Sequence, residues 1–193
     1  QNWTPVRSCE INGKIAGIYG MGSIGRKVAA LMKAFGAEVI YYDPFRLDSK
    51  TEMKLGITYV DTDGLLAKSD ILTLHAPLTE QTQNFICEQS LAKMKDGSVL
   101  SNTAREGLVD YNAAARALHE GKLLGAGFDA IEEDIIKDNP FAGLENVVLT
   151  QHLGGNTTDN AVKMAQRIAR QIISVRNGEK LKKPHLVNGE YLA

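Results

Sequence analysis

The chain has 193 residues, 44% hydrophobic and 23% charged, with a formal net charge of −1, enough for one good-sized core and the composition of an ordinary soluble globular protein. That balance offers no surface for nucleic acid or a membrane, and the one basic run, KLKK at 180–183, reads as a solvated tail. Cys9 and Cys87 have neither the spacing of a metal site nor the density of a disulfide scaffold, so the expectation is free thiols, a reducing cytoplasmic compartment and no metal. No apolar stretch reaches the ~20 residues of a membrane helix, and no signal-peptide pattern opens the chain.

Apolar runs alternate with helical patterns almost from end to end. KIAGIYG (14–20), AEVIYYD (37–43), DILTLHA (70–76), GSVLSN (97–102), LLGAGFD (123–129) and NVVLT (146–150) read as strands. Most are continuous rather than alternating, as strands buried on both faces of a parallel sheet should be. Between them, residues 24–35, 63–69, 88–94 and 110–121 read as helices, the last with Asp110 as N-cap and Gly121 as its stop. A final helix should start near Thr157 or Thr158, with Ala161, Ala165, Ile168 and Ile172 on one face. This alternation predicts an α/β protein with an open, doubly wound parallel sheet.

GMGSIG, residues 20–25, stands at the first strand–helix junction. There the GxGxxG pattern has a mechanical meaning: Gly20 for a tight turn, Gly22 for close approach of a pyrophosphate, Gly25 for close packing of helix on strand. The helix that follows offers free N–H groups and its positive dipole end to phosphates. Asp43 lies 18 residues after Gly25 and closes the second strand. A carboxylate there accepts both hydroxyls of an adenosine ribose and repels a 2′-phosphate, which predicts NAD over NADP. Arg46 lies near enough in sequence to soften that preference.

Beyond the glycine turn, GKIAGIYGMGSIG, LHAPLTEQTQNFI, NTAREGLVD, LLGAGFDA and NVVLTQHLGG follow one another in order over about 13–157. In these segments the chain resembles the cofactor-binding domain of the D-isomer-specific 2-hydroxyacid dehydrogenases. The resemblance implies a Rossmann-type NAD-binding domain of an oxidoreductase that exchanges hydride between NAD and a D-2-hydroxy or 2-oxo acid. It places the family's substrate-clamping Arg on Arg105 and its acid–base His on His152. It implies a partner carboxylate for that His at Asp134, where the family usually has Glu; Glu132 and Glu133 are close rivals. It further implies cofactor contacts at Gly20, Gly22, Ser23, Ile24, Gly25 and Asp43, at Ala76 and Pro77, and at Thr103, Ala104, Arg105, Asp129, His152, Gly154 and Gly155. His75, also at a strand end, receives no catalytic role.

Three residues depart from the family pattern: Glu106 for the usual Gly after the Arg, Gln151 for the usual Pro before the His, and Ala130 for the common Val after Asp129. The family's substrate domain precedes the glycine motif and is completed by the last stretch of the chain. The expectation is therefore a lead-in arm at 1–12, an NAD-binding domain at 13–177, and a return segment at 178–193 toward a substrate domain carried elsewhere in a longer protein. The family usually dimerises through this domain, which implies a homodimer with Trp3 as a candidate contact. The alternative is a non-catalytic NAD-binding interaction module of the same fold, as in corepressors. An adenosylhomocysteinase-type domain fits NTAREG and QHLGG less well.

Overall fold

In a computed structural model, residues 8–129 and 138–180 are described. The chain divides into two compact units, residues 1–152 and 153–193.

The first unit is built on a parallel sheet. Its strands are β1 (Ile15–Tyr19), β2 (Glu38–Tyr42), β3 (Thr58–Tyr59), β4 (Ile71–Leu74), β5 (Ser98–Asn102), β6 (Leu123–Phe128) and β7 (Val147–Leu149). They lie side by side in the order β3-β2-β1-β4-β5-β6-β7, each pairing parallel to its neighbours. The chain winds outward from β1 in one direction, then returns past β1 at β4 to build the other half. That reversal leaves a crevice at the carboxyl ends of β1 and β4, where open α/β sheets take their ligands. The helices are α1 (Ser23–Ala34), α2 (Ser49–Leu55), α3 (Thr62–Lys68), α4 (Glu88–Lys93) and α5 (Tyr111–His119).

Side chains alternate across a strand, and this divides the core in two. Ala16, Ile18, Val39 and Tyr41 form one cluster with Ala29 of α1. Tyr19, Ile40, Leu72, Leu74 and Leu100 join Leu65 of α3, Leu91 of α4 and Leu118 of α5 in the other. In this unit, among the described residues, side-chain caps start three of the helices: Asp48, Asp61 and Asp110 accept the backbone N–H of Thr51, Gly64 and Ala113. For α4, the Ser90 hydroxyl accepts the Cys87 N–H.

The expectation of strands buried on both faces holds for β1, β2 and β4, whose central residues are buried without a break. In β5 and β6 buried and more exposed residues alternate instead, and Leu124 and Val148 stand exposed. Neither α2 nor β3 is among the elements that the apolar pattern predicts. The first is seven residues, SKTEMKL, too short and too polar to show an apolar period. Its ends were nevertheless marked, by the Asp48 cap and by Gly56 in the left-handed conformation at φ 62°. The second is a two-residue strand recognised only through its pairing with β2.

In the second unit, α6 (Thr158–Arg176) starts where Thr157 Oγ1 accepts the Asn160 N–H at 3.1 Å. Gly178, at φ 77°, follows its end. None of its side chains is buried.

Candidate functional site

The glycine turn between β1 and α1 is made of backbone under tight steric control. Gly20 has φ 97°, and a Cβ there would stand 2.7 Å from the Ala76 nitrogen. A Cβ on Gly25 would stand 2.1 Å from the Gly20 carbonyl oxygen, so α1 lies against its own strand closer than any side chain allows. At Gly22 the reverse holds: φ is −72°, and an added Cβ meets nothing within 4 Å. The space above Gly22 is open. Gly22 is the N-cap of α1 without a side-chain cap, and no acid occupies the first turn. The first N–H groups of that end have no side-chain cap among the described residues, and a cradle of this kind fits a pyrophosphate. Ser23 and Ile24 are exposed beside it.

Asp43, just past β2, fastens this turn. Its carboxylate accepts the Met21 N–H at 2.7 Å and the Phe45 N–H at 2.8 Å, one on each oxygen. Each oxygen retains a further acceptor direction, so the same group can also take ribose hydroxyls. Ala76 and Pro77 follow β4 on the other side of the crevice. The His75 N–H reaches the Tyr19 carbonyl at 2.7 Å, which presses this segment against Gly20. Burial pushes the His75 imidazole below its ordinary value, and its Nε2 lies 3.0 Å from the Thr73 hydroxyl. A neutral ring tied inward in this way is structural.

The other half of the edge is assembled across β5, β6 and β7. Buried Asn102 ends β5, and its side chain grips the turn after it: Oδ1 accepts the Ala104 N–H at 3.0 Å and Nδ2 donates to the Arg105 carbonyl at 2.8 Å. Thr103, Ala104 and Arg105 are thereby held at the strand end, with the Arg105 guanidinium exposed and donating to the Ala104 carbonyl at 2.6 Å. The Asp129 N–H donates to the Asn102 carbonyl at 3.0 Å, and the Asp129 carbonyl accepts the His152 N–H at 2.5 Å. The Thr150 hydroxyl donates to the Asp129 carboxylate at 2.5 Å. These threads carry the register of three strands past their ends and bring the Arg105 turn, Asp129 and His152 to one edge. His152 sits at φ 56°, a conformation costing a non-glycine residue roughly 1–2 kcal/mol. Such strain is characteristically retained at working sites.

Asp134, with its rivals Glu132 and Glu133, lies outside the described residues, as do Ala130 and Trp3. Gly154 and Gly155 belong to the second unit, where the Gly155 carbonyl accepts the Asn160 side-chain N–H at 2.7 Å. Two residues carry more of the site than their sequence context suggested. Asn102 and Thr150 stand inside the quoted motifs, yet without a fold they read as a strand's polar end. Among the described residues no cluster of His, Cys, Asp and Glu could hold a metal ion, and no helix is long and apolar enough to cross a membrane.

Residues 1–154 match the family model described as D-isomer specific 2-hydroxyacid dehydrogenase, NAD binding domain. A glyoxylate reductase of Korarchaeum cryptofilum is 40% identical over 191 residues, covering 97% of this chain and 57% of that protein. A D-3-phosphoglycerate dehydrogenase of Methanocaldococcus jannaschii is 38% identical over 174 residues, covering 90% of this chain and 33% of that one. Among solved structures, a glyoxylate reductase from Paecilomyes thermophila superposes with a TM-score of 0.82 at 37% identity, covering 92% of this chain and 54% of the other. The chain spans about half the length of the glyoxylate reductases it matches.

Proposed function

Because the chain belongs to the D-isomer-specific 2-hydroxyacid dehydrogenases and is their NAD-binding domain, we propose that it serves an enzyme that interconverts a D-2-hydroxy acid and its 2-oxo acid. Bound NAD supplies the hydride acceptor for the oxidation. The Arg105 guanidinium clamps the substrate carboxylate with its planar fork and polarises the 2-oxo group. The His152 imidazole, suited to proton exchange near neutrality, takes the proton from the substrate hydroxyl oxygen in oxidation and returns it in reduction. Asp134 holds that ring and stabilises the imidazolium, as the acid does in a Ser–His–Asp triad. Thr103, Ala104 and Asp129 border the nicotinamide end, and Ala76 and Pro77 line the middle of the cofactor.

One observation carries this reading: the backbones of Arg105 and His152 are fastened at the same sheet edge as the glycine turn, the first by the Asn102 side chain and the second by the Asp129 carbonyl. A pure binding module has no chemical use for that pair. The domain organisation we propose is an arm at 1–12, the cofactor domain at 13–177 and a return segment at 178–193, in a cytoplasmic enzyme that dimerises through this domain. The substrate is walled on its far side by a second domain, so the 193-residue chain alone binds NADH but turns over 2-oxo acids negligibly. The test is a panel of 2-oxo acids with NADH, assayed on the protein at the length of its relatives. His152→Ala is expected to cost at least about a hundredfold in kcat, and an undiminished variant would overturn the assignment.

A further inference from the structure

Arg46 stands three residues after Asp43, in the loop that leads from the ribose end of the crevice to α2. A cation there is a natural acceptor for a 2′-phosphate, yet the structure commits it elsewhere. Its Nε donates to Glu52 Oε1 at 2.9 Å and its Nη2 to Oε2 at 3.0 Å, a two-point fork on one carboxylate. Its guanidinium also lies over the Tyr59 ring, 4.7 Å from the centroid.

The acid is the fixed member of this pair. The Glu52 side chain is 11% exposed, against 57% for Arg46, and Oε1 also accepts the buried Tyr41 hydroxyl at 2.7 Å. That hydroxyl in turn accepts the Leu47 N–H at 3.0 Å, pinning the loop next to the arginine. The Arg46 guanidinium holds the Glu52 carboxyl below the usual carboxylate range, with the Tyr41 hydrogen bond acting in the same sense. Turning Arg46 back toward Asp43 would break the fork and the ring contact together and leave a nearly buried carboxylate with only Tyr41.

We propose that Glu52 and Tyr59 are cofactor-selectivity residues that act through Arg46, holding the loop's cation away from the place where a 2′-phosphate would sit. The inference rests on the reading of Asp43 as the ribose acceptor. Discrimination against NADP then has two parts: Asp43 repels the phosphate, and Glu52 withholds the cation that would compensate. Neither Glu52 nor Tyr59 touches the nucleotide. They are positioning residues.

The experiment measures NAD and NADP affinities by calorimetry on the 193-residue chain and three variants. Glu52→Gln keeps an oxygen for the Tyr41 hydroxyl but loses the ionic fork, and the NAD-over-NADP ratio is expected to fall about tenfold as Arg46 becomes free to pair with the phosphate. Arg46→Leu is expected to leave both affinities within about twofold, since the arginine is occupied. The double variant Arg46→Leu/Glu52→Gln is expected to regain the parent ratio. An unchanged ratio in Glu52→Gln would overturn the proposal. So would a lowered ratio that persists in the double variant, because the cause would then be lost negative charge rather than a released cation. Weaker NADP binding in Arg46→Leu would overturn it without reference to how Glu52→Gln folds. If the parent chain binds no NAD, or if Asp43→Ala leaves the NAD-over-NADP ratio of the parent intact, the Asp43 reading fails first and takes this inference with it.

Discussion

At the ends of β1 and β2 the site is made of backbone, whereas at the ends of β5, β6 and β7 it is made of side chains suspended from backbone. In the first region the working groups are N–H donors of α1, and their geometry follows from absent side chains at Gly20 and Gly25. Asp43 closes that region with two short bonds, one to Met21 in the glycine turn and one to Phe45 beside it. In the second, Arg105 and His152 come from strands two places apart in the sheet, and they share an edge through Asn102, Asp129 and Thr150. The first region fails mainly by steric intrusion, its side-chain bonds being confined to Asp43. The second can also fail by loosening, because each of its threads is a replaceable hydrogen bond.

The largest expected effect tests the first region against itself. Gly25→Val puts a branched side chain against the Gly20 carbonyl, where even a Cβ stands at 2.1 Å. A cost of about 3 kcal/mol or more is expected, enough to unfold much of the chain in a denaturant melt. Gly22→Val, with open space around it, should melt like the parent yet lose NAD binding by calorimetry. If both variants melted alike, the steric account of this turn would be wrong.

A middling effect probes the second region. Asn102→Ala leaves the Ala104 N–H and the Arg105 carbonyl without their partner and should cost about 2 kcal/mol. Its distinguishing sign is local. Amide exchange at Ala104 should quicken far more than exchange in β1, while NAD affinity at the glycine turn changes little. Uniform quickening across the sheet would mean that Asn102 supports the core at large.

The smallest effect lies between the two regions, at His75. Burial holds its imidazole below the ordinary value of 6.5, so below that pH the unfolded chain binds more protons than the folded one. The stabilisation is whole above 6.5 and is lost as pH falls from there through the folded value. Thermal melts between about pH 7.5 and pH 5.5 should therefore fall more steeply for the parent than for His75→Gln. Parallel slopes would show that another group governs this interval.

Much of this was legible before any fold was known, and the reason is range. GMGSIG followed by an acid at Asp43 is a local pattern with a local cause, since a strand–helix turn that must approach a phosphate tolerates few residues. The buried central strands β1, β2 and β4 announced themselves by unbroken apolar runs, and Asp110 announced α5 by a cap three residues from its partner. The sequence alone also determined the ordered motifs that mark the family. Tertiary structure decided what depends on partners distant in the chain. It paired β3 with β2, turned Thr150 from a polar strand end into a support for Asp129, and set His152 into a left-handed conformation with its N–H on the Asp129 carbonyl. It also gave Arg46 a direction. Glu52 lies only six residues on, but what makes it the fixed partner is Tyr41 of β2, and the ring is Tyr59 of β3, and those meet only when the sheet has formed.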